Sequence, residues 1–288
     1  MKLYKTKKGN LLSDGDHFWL LGGSWEELVN RSGLHAYLKG LSTGAELLSP
    51  VEADALLNSQ LLAPVGGSQE IWAAGVTYLR SRDARMEESK QSGGASFYDK
   101  VYEAERPELF FKALPQRVAA HDEDVYIRRD SSWNVPEPEL TLFINSKAEI
   151  QGYTIGNDMS SRSIEGENPL YLPQAKVYQR SAALGPCLYV PAEPISPSTR
   201  IRMVIVRGGQ SAYAGEVAIS MIKRKLSELA QWLYRDMDFP AGSLLMTGTC
   251  LVPGNEFTLS AGDKVDITID GVGTLSNTVA YKPMHRNG

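Results

Sequence analysis

From residue 71 onward the chain reads as short apolar runs separated by turn formers. The runs fall at residues 71–76, 125–127, 140–144, 149–155, 187–190, 201–206, 264–269 and 274–279. Arg-Gly-Gly, Pro-Gly-Asn, Ala-Gly-Asp and Asp-Gly-Val-Gly lie between them. Runs of that length bounded by such clusters predict strands joined by tight turns. A helix is expected over 227–236, where Leu229, Trp232 and Leu233 recur at helical spacing. A second is expected over 78–90, which is rich in Arg, Glu and Ala.

Before about Pro64 the pattern is different. Residues 3–6 and 18–21 read as short strands, 25–41 as one helix with an irregular apolar face (Leu28, Leu34, Tyr37, Leu38), and 53–62 as another. Ala-Pro-Val-Gly-Gly then reads as a linker. The expected organisation is a small N-terminal α/β module over 1–65 and a larger domain over 66–288. The fold class is α+β, mostly β, with a rolled or barrel-like sheet.

Composition narrows the class without naming the chemistry. With 288 residues, 42 % hydrophobic and 22 % charged, the chain has the make-up of a soluble globular protein able to bury a full core. A formal charge of −4 counts against nucleic acid or an anionic membrane surface as the main partner. The basic N-terminus has no apolar segment after it, so it is not read as a secretory signal, and no run is long enough to span a membrane. Cys187 and Cys250 are too few for a disulfide framework and fit a reduced compartment. The expectation is a cytoplasmic protein.

The candidate chemistry lies in acids. Glu137 and Glu139 sit in Val-Pro-Glu-Pro-Glu-Leu-Thr-Leu-Phe-Ile, and Asp158 ends a second apolar stretch, Gly-Tyr-Thr-Ile-Gly-Asn-Asp. Alternate residues of a strand share a face, so the two glutamates project together. Adjacent carboxylates repel unless a cation or proton lies between them. A three-oxygen face suits a hard divalent ion such as Mg²⁺. The competing reading is a solvated strand edge carrying ordinary surface acids.

The residues C-terminal to Asp158 favour the site. The sequence Ser-Ser-Arg-Ser-Ile-Glu-Gly-Glu-Asn-Pro-Leu-Tyr-Leu-Pro-Gln-Ala-Lys-Val-Tyr, with the earlier Phe110-Phe111-Lys112 and the later Thr247-Gly248-Thr249, resembles the fumarylacetoacetate hydrolase superfamily. The resemblance covers roughly residues 71–281 and implies that family's β-roll domain. It also implies Mg²⁺ or Mn²⁺ on Glu137, Glu139 and Asp158, Lys176 directed at the substrate, and Thr249 holding a substrate carboxylate. Lys112 and Arg82 are the other candidate substrate contacts. A homodimer or homotetramer is expected on the same ground.

Departures from the family pattern narrow the reaction. Hydrolytic and decarboxylating members carry a His and, three residues on, a Glu that together activate water. Here those positions hold Ser81 and Ala84, and His17, His35, His121 and His285 lie outside the motifs. The segment Glu-Gly-Glu-Asn-Pro-Leu-Tyr-Leu-Pro-Gln-Ala-Lys-Val-Tyr is similar to a narrower group within the superfamily, dehydratases of 2-keto-3-deoxy-pentonates. That similarity implies a metal-dependent hydro-lyase acting on a small 2-oxo sugar acid, with acylpyruvate hydrolysis or 2-oxo acid isomerisation or decarboxylation as the alternative. Glu108 and Glu167 are the candidates for an acid or base beside Lys176.

Overall fold

The computed structural model describes residues 1–59, 61–78 and 100–284. Apart from Tyr78, the helix expected over 78–90 lies outside them, as do Ser81, Arg82, Ala84 and His285. The expected mostly-β architecture is present. The middle of a large sheet runs Ala182–Tyr189, Ile150–Asp158, Pro138–Ile144, Ser243–Met246, Glu70–Gly75, Glu108–Ala113, each strand hydrogen-bonded to the next. These neighbours are antiparallel except Ser243–Met246 with Glu70–Gly75. A second sheet has the order Gln210–Ala218, Arg200–Arg207, Lys264–Ile269, Gly273–Tyr281, Asp124–Ile127.

Both faces of the large sheet are covered, which explains why its strands read as continuous apolar runs rather than alternating ones. Leu140, Leu142, Ile144 and Ile155 pack in one core with Ile201, Met203, Ile205, Val265, Ile267 and Leu275 of the second sheet. Phe143, Leu184, Leu188, Leu244 and Met246 join the opposite core with Leu12, Trp25, Leu28, Leu34 and Leu38. Full burial of each such side chain contributes about 1.5–3 kcal/mol, so a slip of one residue in Pro138–Ile144 would exchange both faces at prohibitive cost. That constraint also fixes which way the acids at the start of the strand point.

The N-terminal residues extend the same sheet. Strand Lys2–Thr6 pairs with Ala182–Tyr189, Leu3 opposite Leu188. The helix expected over 25–41 is two helices, Trp25–Val29 and Leu34–Leu41. Between them, Gly33 adopts φ +64°, and the Asn30 side chain accepts from Ser146 N–H at 2.7 Å and donates to the Pro240 carbonyl at 2.7 Å. Tertiary contacts thus interrupt a locally helical pattern. The helix expected over 53–62 occupies Pro50–Ser59 and gives way to a short strand at Leu61–Leu62.

Candidate active site

The acids meet where two central strands end together. In the register of Pro138–Ile144 against Ile150–Asp158, Pro138 lies opposite Asn157 and Glu139 opposite Gly156. Asp158 N–H donates to the Glu137 carbonyl at 2.9 Å and the Asn157 side chain accepts from Glu137 N–H at 3.3 Å. Pro138, which has no N–H to give a ladder, stands at the first position of its strand, where that loss is tolerated. Glu137, Glu139 and Asp158 are 3 %, 2 % and 1 % exposed, which rules out the solvated-edge reading. One carboxylate oxygen from each lies within 4.8 Å of the others.

Among the described residues, three cationic side chains surround this triad. Lys176, the last residue of the helix Leu172–Lys176, places Nζ 2.6 Å from Glu137 Oε2 and 3.2 Å from Asp158 Oδ2, and it also donates to Ser160 Oγ. Arg162 Nη2 donates to Glu137 Oε1 at 2.6 Å. Lys112 Nζ lies 2.5 Å from Asp158 Oδ1. Glu139 differs: among the described residues no cation forms an ion pair with it, and its Oε2 accepts from Gly248 N–H at 2.6 Å.

The electrostatics follow from that asymmetry. Burial, then the charges of Asp158 and Glu137, hold the Glu139 carboxyl well above the usual carboxylate range. Burial also raises Asp158, but Lys112 and Lys176 outweigh it and leave the group below its ordinary value. Burial lowers Lys112 more than Asp158 raises it. Two of the acids are thus matched by buried cations, while Glu139 has no cationic partner among the described residues and is the one that lacks a counter-charge. An all-oxygen donor set of three carboxylates matches Mg²⁺ or Mn²⁺, so these residues fit the ion as a ligand set.

A narrow cavity opens over the triad. Its walls include Ala74, Gly75, Phe110, Arg162, Lys176, Gly248 and Thr249. Gly248 has φ +90°, and an added Cβ there would lie 2.1 Å from Thr77 Oγ1 and 2.9 Å from the Ala74 carbonyl. Only glycine lets the backbone turn its N–H onto Glu139 at that spot. Gly75 has a similar part: a Cβ on it would fall 2.1 Å from Glu108 Oε2. Glu108, paired with Gly75 across the strands, therefore lays its carboxylate against the cavity wall.

The structure brings Glu137, Glu139, Asp158, Lys176 and Thr249 to one cavity; Glu108 is not among its lining residues, its carboxylate lying against Gly75, which is. It does not bring Glu167 there: that residue is exposed at the end of the helix Arg162–Glu167, because the helix turns Glu165 inward instead, to 1 % exposure. Lys112 is fully buried and does not line the cavity. Arg82 lies outside the described residues. Arg162 and Ser160 belong to the site although sequence patterning gave them no role. The signal for Ser160 was period two after Asp158, since both reach Lys176.

Comparison with known proteins bears on the same region. The family model described as fumarylacetoacetate (FAA) hydrolase C-terminal matches residues 71–280. The chain is 48 % identical over 227 residues to a protein of Haloferax volcanii named probable 2-keto-3-deoxyxylonate dehydratase, covering 78 % of this chain and 77 % of that one. It is 40 % identical over 239 residues to the 2-dehydro-3-deoxy-D-arabinonate dehydratase of Saccharolobus solfataricus, covering 82 % and 80 %. Among solved structures, a 2-keto-3-deoxy-D-arabinonate dehydratase complexed with magnesium and 2,5-dioxopentanoate superposes with a TM-score of 0.83 at 33 % identity, over 99 % of this chain and 100 % of that one.

Proposed function

The chain belongs to the fumarylacetoacetate hydrolase family, and from that premise we propose that it is a Mg²⁺-dependent hydro-lyase converting a 2-keto-3-deoxy-pentonate (the arabinonate or xylonate) to 2,5-dioxopentanoate. The observation that carries this reading is an amine, Lys176, held against two acids of a buried three-carboxylate cavity. Among the described residues, no histidine lines that cavity. Elimination of water needs a base and an acid but no activated water, and those are the groups present.

Glu137, Glu139 and Asp158 would hold the ion, which supplies Lewis-acid polarisation of the substrate's 2-oxo group. The amine of Lys176 takes a C3 proton. It must be neutral to do so, and a divalent ion on the carboxylates that Lys176 pairs with would favour that form by like charge. The C4 hydroxyl leaves as water with a proton from Glu108 or from the Lys176 ammonium. Loss of one C5–H proton and of the C5 hydroxyl proton, with return of one proton to C3 and one to C4, then converts the C5 alcohol to an aldehyde, so atoms balance with loss of one water. The Thr249 hydroxyl oxygen accepts from Leu251 N–H at 3.1 Å, which leaves its own proton to donate to the substrate carboxylate.

The protein is further read as a cytoplasmic homodimer or homotetramer; among the described residues no helix is long and apolar enough to cross a membrane. The test of the activity is incubation with 2-keto-3-deoxy-D-arabinonate and Mg²⁺ against an EDTA control, with product followed through a coupled semialdehyde dehydrogenase. Metal-dependent product supports the proposal. Turnover of acylpyruvates or oxaloacetate, with none of the sugar acid, replaces it with a hydrolase or decarboxylase.

A further inference from the structure

Lys112 stands on the strand Glu108–Ala113, two residues after Phe110, and Phe110 lines the cavity. A lysine so placed invites assignment as a substrate contact, and the geometry argues otherwise. Its ammonium has three protons to donate. Three oxygens surround it: Asp158 Oδ1 at 2.5 Å, the Lys176 carbonyl at 2.5 Å and the Met159 carbonyl at 3.2 Å. With two carbonyls accepting its protons, its charge paired with Asp158 and no exposed surface, it is turned away from any ligand in the cavity.

We propose that Lys112 is a positioning residue that ties the metal ligand Asp158 to the base Lys176. The helix Leu172–Lys176 is five residues long, too short to hold its own geometry. Its terminal carbonyl, at Lys176, has no partner within the helix and accepts instead from Lys112 and from Ser181 Oγ at 2.8 Å. The same Lys112 ammonium grips one oxygen of Asp158, whose other oxygen meets the Lys176 amine. A single buried charge thus sets where the base stands relative to the acid triad, below the cavity floor and out of the substrate's reach.

This inference rests on the proposed metal and base assignments but not on the identity of the substrate. Lys112→Met removes the charge and the ammonium donors while keeping an unbranched side chain one atom shorter. The metal-free variant, titrated with Mn²⁺ by calorimetry, is expected to bind about tenfold to a hundredfold more weakly than the natural protein, the usual cost of losing a group that orients a ligand. At saturating metal, kcat falls by about tenfold or more with KM for 2-keto-3-deoxy-D-arabinonate within about twofold. Unchanged Mn²⁺ affinity overturns the proposal, whether KM alone rises, as for a substrate contact, or nothing changes. A second measurement needs no variant. Amidination of the metal-free natural protein with methyl acetimidate, read by mass spectrometry, should leave Lys112 unmodified with or without pyruvate. Labelling of Lys112 that pyruvate prevents would place it against the substrate. Absence of sugar-acid turnover would sink the proposed function, and the Mn²⁺ and labelling results would still decide the role of Lys112.

Discussion

Glu139→Gln should stabilise the metal-free protein and abolish its response to metal. The wild-type carboxylate is buried within 4.8 Å of two other carboxylates and, among the described residues, is held by a backbone N–H and no cation. Two unit charges at 4.8 Å with an effective dielectric of about 20 repel by roughly 3–4 kcal/mol. Lys112, Lys176 and Arg162 offset part of this, and proton uptake by Glu139 relieves more. A net gain of about 1–3 kcal/mol on removing the charge is left. For a chain this long, that is an upward shift of about 2–10 °C in Tm. The amide keeps an oxygen for Gly248 N–H, so the backbone turn survives. Excess Mg²⁺ then separates the two proteins: it stabilises the natural one by about 3 kcal/mol at a hundred times its Kd, and the variant not at all. Melting curves in EDTA and in Mg²⁺ for both proteins give the four numbers needed. A variant that melts below the natural protein in EDTA, or that keeps a Mg²⁺ shift, refutes the placement of an unpaired carboxylate at position 139.

Other consequences of the geometry are equally open to measurement. Gly248→Ala forces a side chain onto φ +90° and into Thr77, so a loss of about 2 kcal/mol or more in chemical denaturation and a weakened Mn²⁺ titration are expected; wild-type values for both would show that the turn tolerates a Cβ. Because the Glu139 pKa is raised in the fold, this group destabilises the metal-free protein as pH rises above the ordinary glutamate value, and metal must displace its proton. Calorimetry in buffers of different ionisation heat should therefore show proton release on Mg²⁺ binding and weaker binding as pH falls, and binding without proton release would contradict the assignment. Glu108→Gln should lower kcat by about a hundredfold while Glu167→Ala leaves it within about twofold, and the reverse order would move the second acid to the exposed helix end.

Much of the site was legible because it depends on local rules. Period-two alternation puts Glu137 and Glu139 on one side of a strand, and burial of both sheet faces fixes which side that is. Lys176 was legible through the family resemblance and not through a local rule, and it ends a short helix. The strand Glu108–Ala113 was missed because its residues are partly or fully buried on either side, with no alternation to read. The strand Gln210–Ala218 was missed for the opposite reason, being a mostly exposed, Gly- and Ala-containing edge. The exposure of Glu167 turns on one short helix whose rotation is set by packing. Lys112 carries the same lesson, since only the assembled fold shows that its ammonium is already held by two carbonyls and Asp158.

The central claim, that Lys176 drives elimination of water from a 3-deoxy-2-oxo sugar acid, is tested most directly by NMR of the reaction in D₂O. The natural protein with Mg²⁺ should convert 2-keto-3-deoxy-D-arabinonate to 2,5-dioxopentanoate carrying deuterium at C3 and C4. Lys176→Met should bind Mn²⁺ yet neither form product nor exchange the C3 protons. Deuterium exchange and product formation by Lys176→Met at wild-type rates, or release of pyruvate and glycolaldehyde by the natural protein, would contradict the account.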